Sequence, residues 1–378
     1  MTDLPPLAHL KLPVSLSLGR RYPEAAHPYR NEFQRDRDRI IHSRAFRRLE
    51  NKTQVFTSPV CDHFRNRLTH TLEVSQIART VAAVLGLDED LTEALALAHD
   101  FGHPPFAHAG ESELNRQMER FGDRFDHNLH ALRIVESFEQ RYARFPGLNL
   151  TFEVREGMVK HSRELERAEF PELDEYLPGR RPPLEAQLID LADEIAYNTA
   201  DLDDSYAAGM ITLADVAGAV PGYRAILERI QGHFPGAPER VQFFESLRLL
   251  IDGLATGLIE GTIAACGEAG VTGAEAVRRH PGRLARLTAE AAAANRDLKR
   301  FLFAAVYDST PLVEARERSA AMIAALFQYF LDYPEAMPEA YADQIRSQPP
   351  NRVVCDYIAG MTDGFFLRTV TALGLADR

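Results

Sequence analysis

The stretch LALAHDFGHPPFAHAGE, Leu95 to Glu111, places three histidines and two carboxylates among alanines, leucines and phenylalanines. Apolar surroundings penalise an unpaired charge by roughly several kcal/mol, so such groups persist only when paired, hydrogen-bonded or bound to a cation. The same stretch fixes local structure. Leu91, Leu95 and His99 fall at i, i+4 spacing and stack on one side of a helix running from about residue 88 to 100. Pro104 and Pro105 then break it, because neither continues a helix interior. His99 and Asp100 therefore sit together at a helix end.

Working outward, residues 67–87 carry Val74, Ile77, Ala78, Val81 and Leu85 at helical spacing, and Gly86 stops the run. His70 extends that apolar stripe by one turn, so it points inward. Residues 126–142 read as a further amphipathic helix with His127, Ala131, Ile134 and Phe138 aligned. A long helix from about 183 to 209 has two inward faces. Leu188, Leu191, Ile195 and Leu202 form ordinary core, whereas Ile189, Asp193, Tyr197 and Asp201 recur every four residues on another side. The best strand candidate, KTQVFT at 52–57, is short, so the fold class is all-α.

Residues 162–183 turn polar and proline-rich, as in an excursion or lid. QGHFPGAPER, 231–240, reads as a linker. The expected organisation is an N-terminal arm with a basic segment (1–60), a catalytic core (61–230) and an additional C-terminal helical lobe (231–378).

The 378 residues are 45% hydrophobic and 26% charged, the balance of a soluble globular protein. Cys61, Cys266 and Cys355 lie far apart and form no CxxC pair, which argues against a structural zinc site and a disulfide framework; a cytoplasmic location fits. The N-terminus lacks the pattern of a signal peptide, and the longest apolar run, AAMIAALFQYFL, is too short to span a bilayer. A net charge of −12 argues against general nucleic-acid coating. Yet residues 35–67 hold nine Arg and Lys against four acids, a local excess of five positive charges suited to a small polyanion. The alternative is that these arginines form a solvated helix face.

Seven of the 13 histidines fall between His63 and His130. A lone inward histidine is usually a hydrogen-bonded core residue. His70, His99, Asp100 and Asp193 together are a different matter, because neutral imidazoles mixed with hard carboxylate oxygens suit a divalent cation such as Mn, Mg or Fe(II).

The ordered pattern H…HD…D resembles the HD phosphohydrolase superfamily. FRNRLTHTLEVSQIAR, AHDFGHPPFAHAGE, FDHNLHALRIVE, DLADEIAYNTADLDD and RVVCDYIAGMTD narrow the likeness to the deoxyguanosine triphosphate triphosphohydrolase (dGTPase) family, covering much of 35–205 and a C-terminal element. The resemblance implies an all-α HD-domain fold in which His70, His99, Asp100 and Asp193 hold a divalent metal. It implies attack by a water, or by a residue beside the metal, on the α-phosphorus of a deoxynucleoside triphosphate (dNTP), releasing deoxynucleoside and triphosphate. His108 and Glu111, three apart, match the family's histidine-acid pair for proton transfer, and His103 and His127 match phosphate-contacting residues. His103 as a helix cap, Glu111 as a helix N-terminal acid and His130 as a locally bonded residue are the structural alternatives.

By similarity Arg67 binds phosphate and Lys160 adds a charge. Tyr197 packs on the deoxyribose where a 2′-hydroxyl would clash, and Asp201, with Gln54, takes the 3′-hydroxyl. Gly364 stands where many relatives carry a bulkier polar residue, which points to several accepted bases. A homo-oligomer and a second, allosteric dNTP site are implied partners, and single-stranded DNA is a further one. Rival readings are an HD hydrolase of another nucleotide, such as a nucleoside monophosphate or an alarmone, and a non-enzymatic dNTP or DNA sensor. A metalloprotease is a poorer fit, because HDFGH lies at a helix end and carries aspartate where HExxH carries a glutamate base.

Overall fold

The computed structural model describes residues 5–55 and 64–376. Among them the chain is helical, with isolated bridges but no extended strand, as the all-α expectation requires. Of the KTQVFT candidate, only a single bridge from Thr53 to Asn66 forms; Phe56 and Thr57 lie outside the described residues. The Thr53 amide has no neighbouring strand to bond and donates to a carboxylate, Asp363 Oδ2, at 2.8 Å.

The principal helices are α1 (Glu32–Ile41), α2 (Arg67–Leu85), α3 (Glu89–Ala98), α4 (Ala107–Glu119), α5 (His127–Arg133), α6 (Phe152–Val159), α7 (Leu184–Ala207), α8 (Pro221–His233), α9 (Glu239–Ala269), α10 (Ala289–Leu302), α11 (Thr310–Asp332), α12 (Pro350–Ala359) and α13 (Asp363–Ala372). The apolar stripe of α2 is buried along its length, and Gly86 ends it in the left-handed region at φ 82°. A methyl group at Gly86 would lie 2.6 Å from Pro5 Cβ, so glycine is required there on two counts.

The chain divides into two compact units, each assembled from three segments. One comprises residues 1–38, 70–97 and 150–309; the other comprises 39–69, 98–149 and 310–378. In the first, α7 packs on α9 and α10, and α9 also packs on α8. Leu188, Ile195 and Leu202 of α7 are fully buried, as their spacing indicates, whereas Leu191, expected on the same face, is only half-buried. In the second, α4 packs on α11 and α12 around Leu114, Met118, Ile323, Phe327, Val354 and Phe366.

Four local expectations differ from what is found. Gln231 to His233 belong to α8, and α9 begins at Glu239; the two helices pack together, so 234–238 is a turn within one unit rather than a linker. The polar stretch 162–183 is anchored rather than lid-like, because Leu165, Phe170, Leu173 and Tyr176 are buried in it and Tyr176 stacks on Phe152 at 5.7 Å. The helix expected through residue 142 ends as a π-helical turn at Ile134–Phe138. The basic segment is largely consumed internally: Arg35 pairs with Glu32, Arg37 with Asp90, and Arg39 donates to the carbonyls of Leu148 and Asn149. By length and composition α9 could cross a membrane, yet its stripe of Phe243, Leu250, Leu254 and Leu258 is buried within its unit.

Candidate functional site

In the unit containing α4 and α5, the HDFGHPPFAH stretch forms a tight turn. Gly102 makes it possible: an added Cβ would lie 1.8 Å from the His127 carbonyl oxygen, so only glycine lets the turn meet the start of α5. Asp126 caps α5, its carboxylate accepting from the Leu129 amide at 2.9 Å, which sets His127 at the first helical position. The consequence is a stack of the His103 and His127 rings with centroids 4.0 Å apart.

Asp100 is buried beside the Arg67 guanidinium and two imidazoles. Its Oδ2 accepts from Arg67 Nη1 at 2.7 Å, and its Oδ1 lies 3.0 Å from His103 Nδ1 and 3.4 Å from His99 Nε2. Burial alone would raise its pKa, but its contacts with His99, Arg67 and His103 outweigh that and hold the carboxyl well below its ordinary range. His103 moves the other way. Burial disfavours its charged form, and Arg67 and His127 add repulsion, so its pKa falls well below the usual imidazole value.

Glu111 is shared by two histidines. Its Oε1 accepts from the His127 amide at 3.0 Å and lies 2.7 Å from His127 Nδ1, while its Oε2 is 3.6 Å from Nδ1 of the exposed His108. Burial opposes its ionisation, but hydrogen bonding to His108 and His127 and the charge of His127 prevail and keep it ionised far below the ordinary glutamate range. Glu111 is thus more than a helix-terminal acid. Gln54, also in this unit, presents a buried Oε1 with no hydrogen-bond partner.

Two further residues of this unit have no site role in the sequence reading. Lys52 is buried, and its Nζ donates to the His103 carbonyl at 2.5 Å and the Ala359 carbonyl at 3.2 Å. Burial, with repulsion from Arg48, lowers its pKa to about 7. Asp363 accepts from the amides of Phe106, at 3.2 Å, and Thr53. Phe106 and Ala107 occupy the left-handed region at φ 62° and 55°, which costs a non-glycine residue about 1–2 kcal/mol. His130, expected to bond locally, instead faces Asp356 at 3.3 Å, both residues being buried.

In the other unit, α2 and α7 bring His70 Nε2 within 2.8 Å of Asp193 Oδ1. His161, at the end of α6, also escaped sequence reasoning. Its Nδ1 lies 2.8 Å from Asp190 Oδ1 and its Nε2 lies 3.6 Å from Asp193 Oδ2. Burial works against its charge, but hydrogen bonds to Asp190 and Asp193 raise its pKa to about 10. Arg283 pairs with Asp190 in turn. Asp193, Tyr197, Arg283 and Lys299 line a cavity of about 400 Å³, with Lys299 Nζ 5.6 Å from the Tyr197 ring centroid.

Asp201, one turn beyond Tyr197, accepts from the Tyr307 hydroxyl. A π-helical turn at Phe303–Tyr307, after α10, delivers that tyrosine. Lys160, expected beside the substrate, is fully buried. Its ammonium is held by Glu156 at 2.7 Å and by the carbonyls of Leu177 and Arg180, so its charge is neutralised inside the unit. Of the expected residues, one unit therefore groups His70 with Asp193, Tyr197 and Asp201, and the other groups Arg67, His99, Asp100, His103, His108, Glu111 and His127. Imidazole and carboxylate donors of this kind are compatible with a divalent cation.

Residues 67–198 match the HD domain, and residues 285–372 match a phosphohydrolase-associated domain. The deoxyguanosinetriphosphate triphosphohydrolase-like protein of Geobacter sulfurreducens is 45% identical over 93% of this chain and 90% of its own length. That of Azoarcus sp. is 44% identical over 97% and 96%, and that of Bordetella pertussis 44% over 94% and 92%. With the HD-domain match and a likeness that runs through both units, the chain belongs to the dGTPase-like family of HD-domain hydrolases.

Proposed function

We propose that this hydrolase cleaves deoxynucleoside triphosphates to deoxynucleoside and triphosphate, in a reaction that depends on a divalent metal. The observation that carries the reading is the shared Glu111 carboxylate, ionised and aligned with two histidines beside a neutral His103. The proposed metal ligands are His70, His99, Asp100 and Asp193. Their chemistry fits: all four are imidazoles or carboxylates, with no thiolate among them, and the Asp193 carboxylate is already turned to an imidazole. When bound, such a cation acidifies water and neutralises phosphate charge.

The protein's own groups do the rest. Arg67, a buried and permanently charged guanidinium, offsets phosphate charge. Water's oxygen bonds to the α-phosphorus as the bond to the 5′-oxygen breaks, and the departing oxygen must gain a proton. His108, exposed and backed by Glu111, supplies it, while Glu111 stabilises the imidazolium form. His103 and His127 contact phosphate oxygens.

Sugar selection rests on Tyr197 and Asp201, one turn apart on α7. The half-buried ring packs where a 2′-hydroxyl would need room, and Asp201 with Gln54 accepts the 3′-hydroxyl; a hydroxyl denied space or a partner is costly. Gly364 carries no side chain that could select a base, which supports a reading in which several dNTPs are accepted.

The test is product analysis after incubation of each dNTP with Mn²⁺. Triphosphate with free deoxynucleoside is the expected outcome. Orthophosphate or pyrophosphate would reassign the chain to another nucleotide hydrolysis, and unchanged dNTPs would make it a binder.

A further inference from the structure

We propose that Asp363 is a positioning residue for proton transfer, gripping the backbone turn that aims His108 and Glu111. The inference rests on the proton-transfer role given to that pair above.

The first turn of α4 carries both His108 and Glu111, so the entry of the chain into α4 decides where they point. That entry is unusual. Phe106 and Ala107 are successive non-glycine residues in the left-handed region, and the helix begins at Ala107 with no side chain capping it. Left-handed backbone is unfavourable for residues with a Cβ and persists where neighbouring structure over-determines it. The turn is also compressed: an added Cβ on Gly110, in the same first turn, would lie 1.9 Å from the Pro105 carbonyl oxygen.

Two buried side chains of opposite charge hold this turn at its two ends. At its start, the Lys52 ammonium binds the His103 carbonyl; at its end, the Asp363 carboxylate binds the Phe106 amide. Both also fasten to the joint between α12 and α13, Lys52 through the carbonyl of Ala359, the last residue of α12, and Asp363 as the first residue of α13. The second Asp363 oxygen takes the Thr53 amide, next to Gln54. One carboxylate therefore sets the backbone beside two groups assigned to the reaction. Hydrogen bonds from backbone amides to an ionised acceptor are among the stronger ones, which suits a residue that must hold a strained turn.

Asp363 touches no reacting atom in this account. Asn at this position keeps one acceptor oxygen but turns an NH2 toward the second amide, so one of the two backbone bonds is lost at nearly constant volume. Glycine at position 107 adopts positive φ freely and so relieves strain that Asp363 is proposed to hold.

The test uses the full-length protein with dGTP and Mn²⁺. Asp363→Asn is expected to lower kcat about thirtyfold with KM within twofold and the melting temperature within a few degrees. Adding Ala107→Gly to that variant is expected to restore kcat about fivefold. Amide exchange at Phe106 is expected to quicken at least tenfold in Asp363→Asn. Exchange is read without turnover, so it decides the backbone claim even if dGTP proves not to be a substrate.

The proposal is overturned if kcat stays within twofold of the parent, if kcat, KM and melting temperature all fall together, if Ala107→Gly gives no recovery, or if Phe106 exchange is unchanged. Should Asp363→Asn fail to fold, Asp363→Glu keeps the charge but shifts the oxygens by one methylene, and is read by the same three measurements with the same expectations.

Discussion

His70 Nε2 and Asp193 Oδ1 lie 2.8 Å apart, joining a buried residue of α2 to one of α7. Both are proposed metal ligands, and a pair already brought together loses little freedom when a cation arrives. Removing the carboxylate by Asp193→Ala is expected to abolish turnover and to strip Mn²⁺, with the helical fold retained. Isothermal titration with Mn²⁺ and circular dichroism of the same sample check this; normal Mn²⁺ affinity in the variant removes Asp193 from the ligand set.

Tyr197 is proposed to guard the 2′ position. Truncation to alanine opens room for a hydroxyl, so Tyr197→Ala is expected to raise the ratio of ATP to dATP hydrolysis about tenfold. Parallel product assays on the two nucleotides measure it, and an unchanged ratio transfers sugar selection elsewhere.

The Tyr307 hydroxyl donates to Asp201 Oδ2 and so fixes the carboxylate that is proposed to take the 3′-hydroxyl. Burial and the neighbouring carboxylate raise the pKa of Tyr307 far above that of an ordinary tyrosine, so it stays a donor. Tyr307→Phe is expected to lower kcat/KM for dNTPs about tenfold, about 1.4 kcal/mol, and to leave 2′,3′-dideoxynucleotides unaffected. Equal losses on both substrates would show that Asp201 does not read the 3′-hydroxyl.

Lys52 supplies a pH test. Its folded pKa of about 7 lies below the ordinary lysine value of 10.5, so the unfolded chain holds the proton more tightly. Its contribution to stability is complete above pH 10.5 and is lost as pH falls through 7. The unfolding free energy of the wild type, relative to Lys52→Met, is expected to rise between pH 7 and 10 with a slope approaching about 1.4 kcal/mol per unit. Urea titrations at three pH values check it; parallel curves mean that the ammonium is not held in a low-dielectric site.

The helices were legible wherever one face repeats. Val74, Ile77, Val81 and Leu85 announced α2, and Leu188, Ile195 and Leu202 announced α7, because burial of a stripe is written into spacing. The π-helical turns at 134–138 and 303–307 were not, since a single widened turn leaves the composition unaltered. The expected site residues came from motif resemblance, and the same motifs were silent about three others. Lys52 and Asp363 bind backbone atoms distant in sequence, which no side-chain pattern records. His161 stands next to Lys160 in the sequence, yet it is His161 that joins His70 at Asp193 and also meets Asp190, while the lysine is consumed by Glu156.

The polypeptide contributes three separate lengths to each compact unit. Neither can be excised as one continuous fragment, and gene fusions or recombination that exchange a contiguous block would carry off parts of both. Closing such long intervals before distant partners meet also slows assembly, because the entropy of closure precedes the contacts that reward it. A single nick in residues 98–149 would leave one unit broken and the other with its chain uncut.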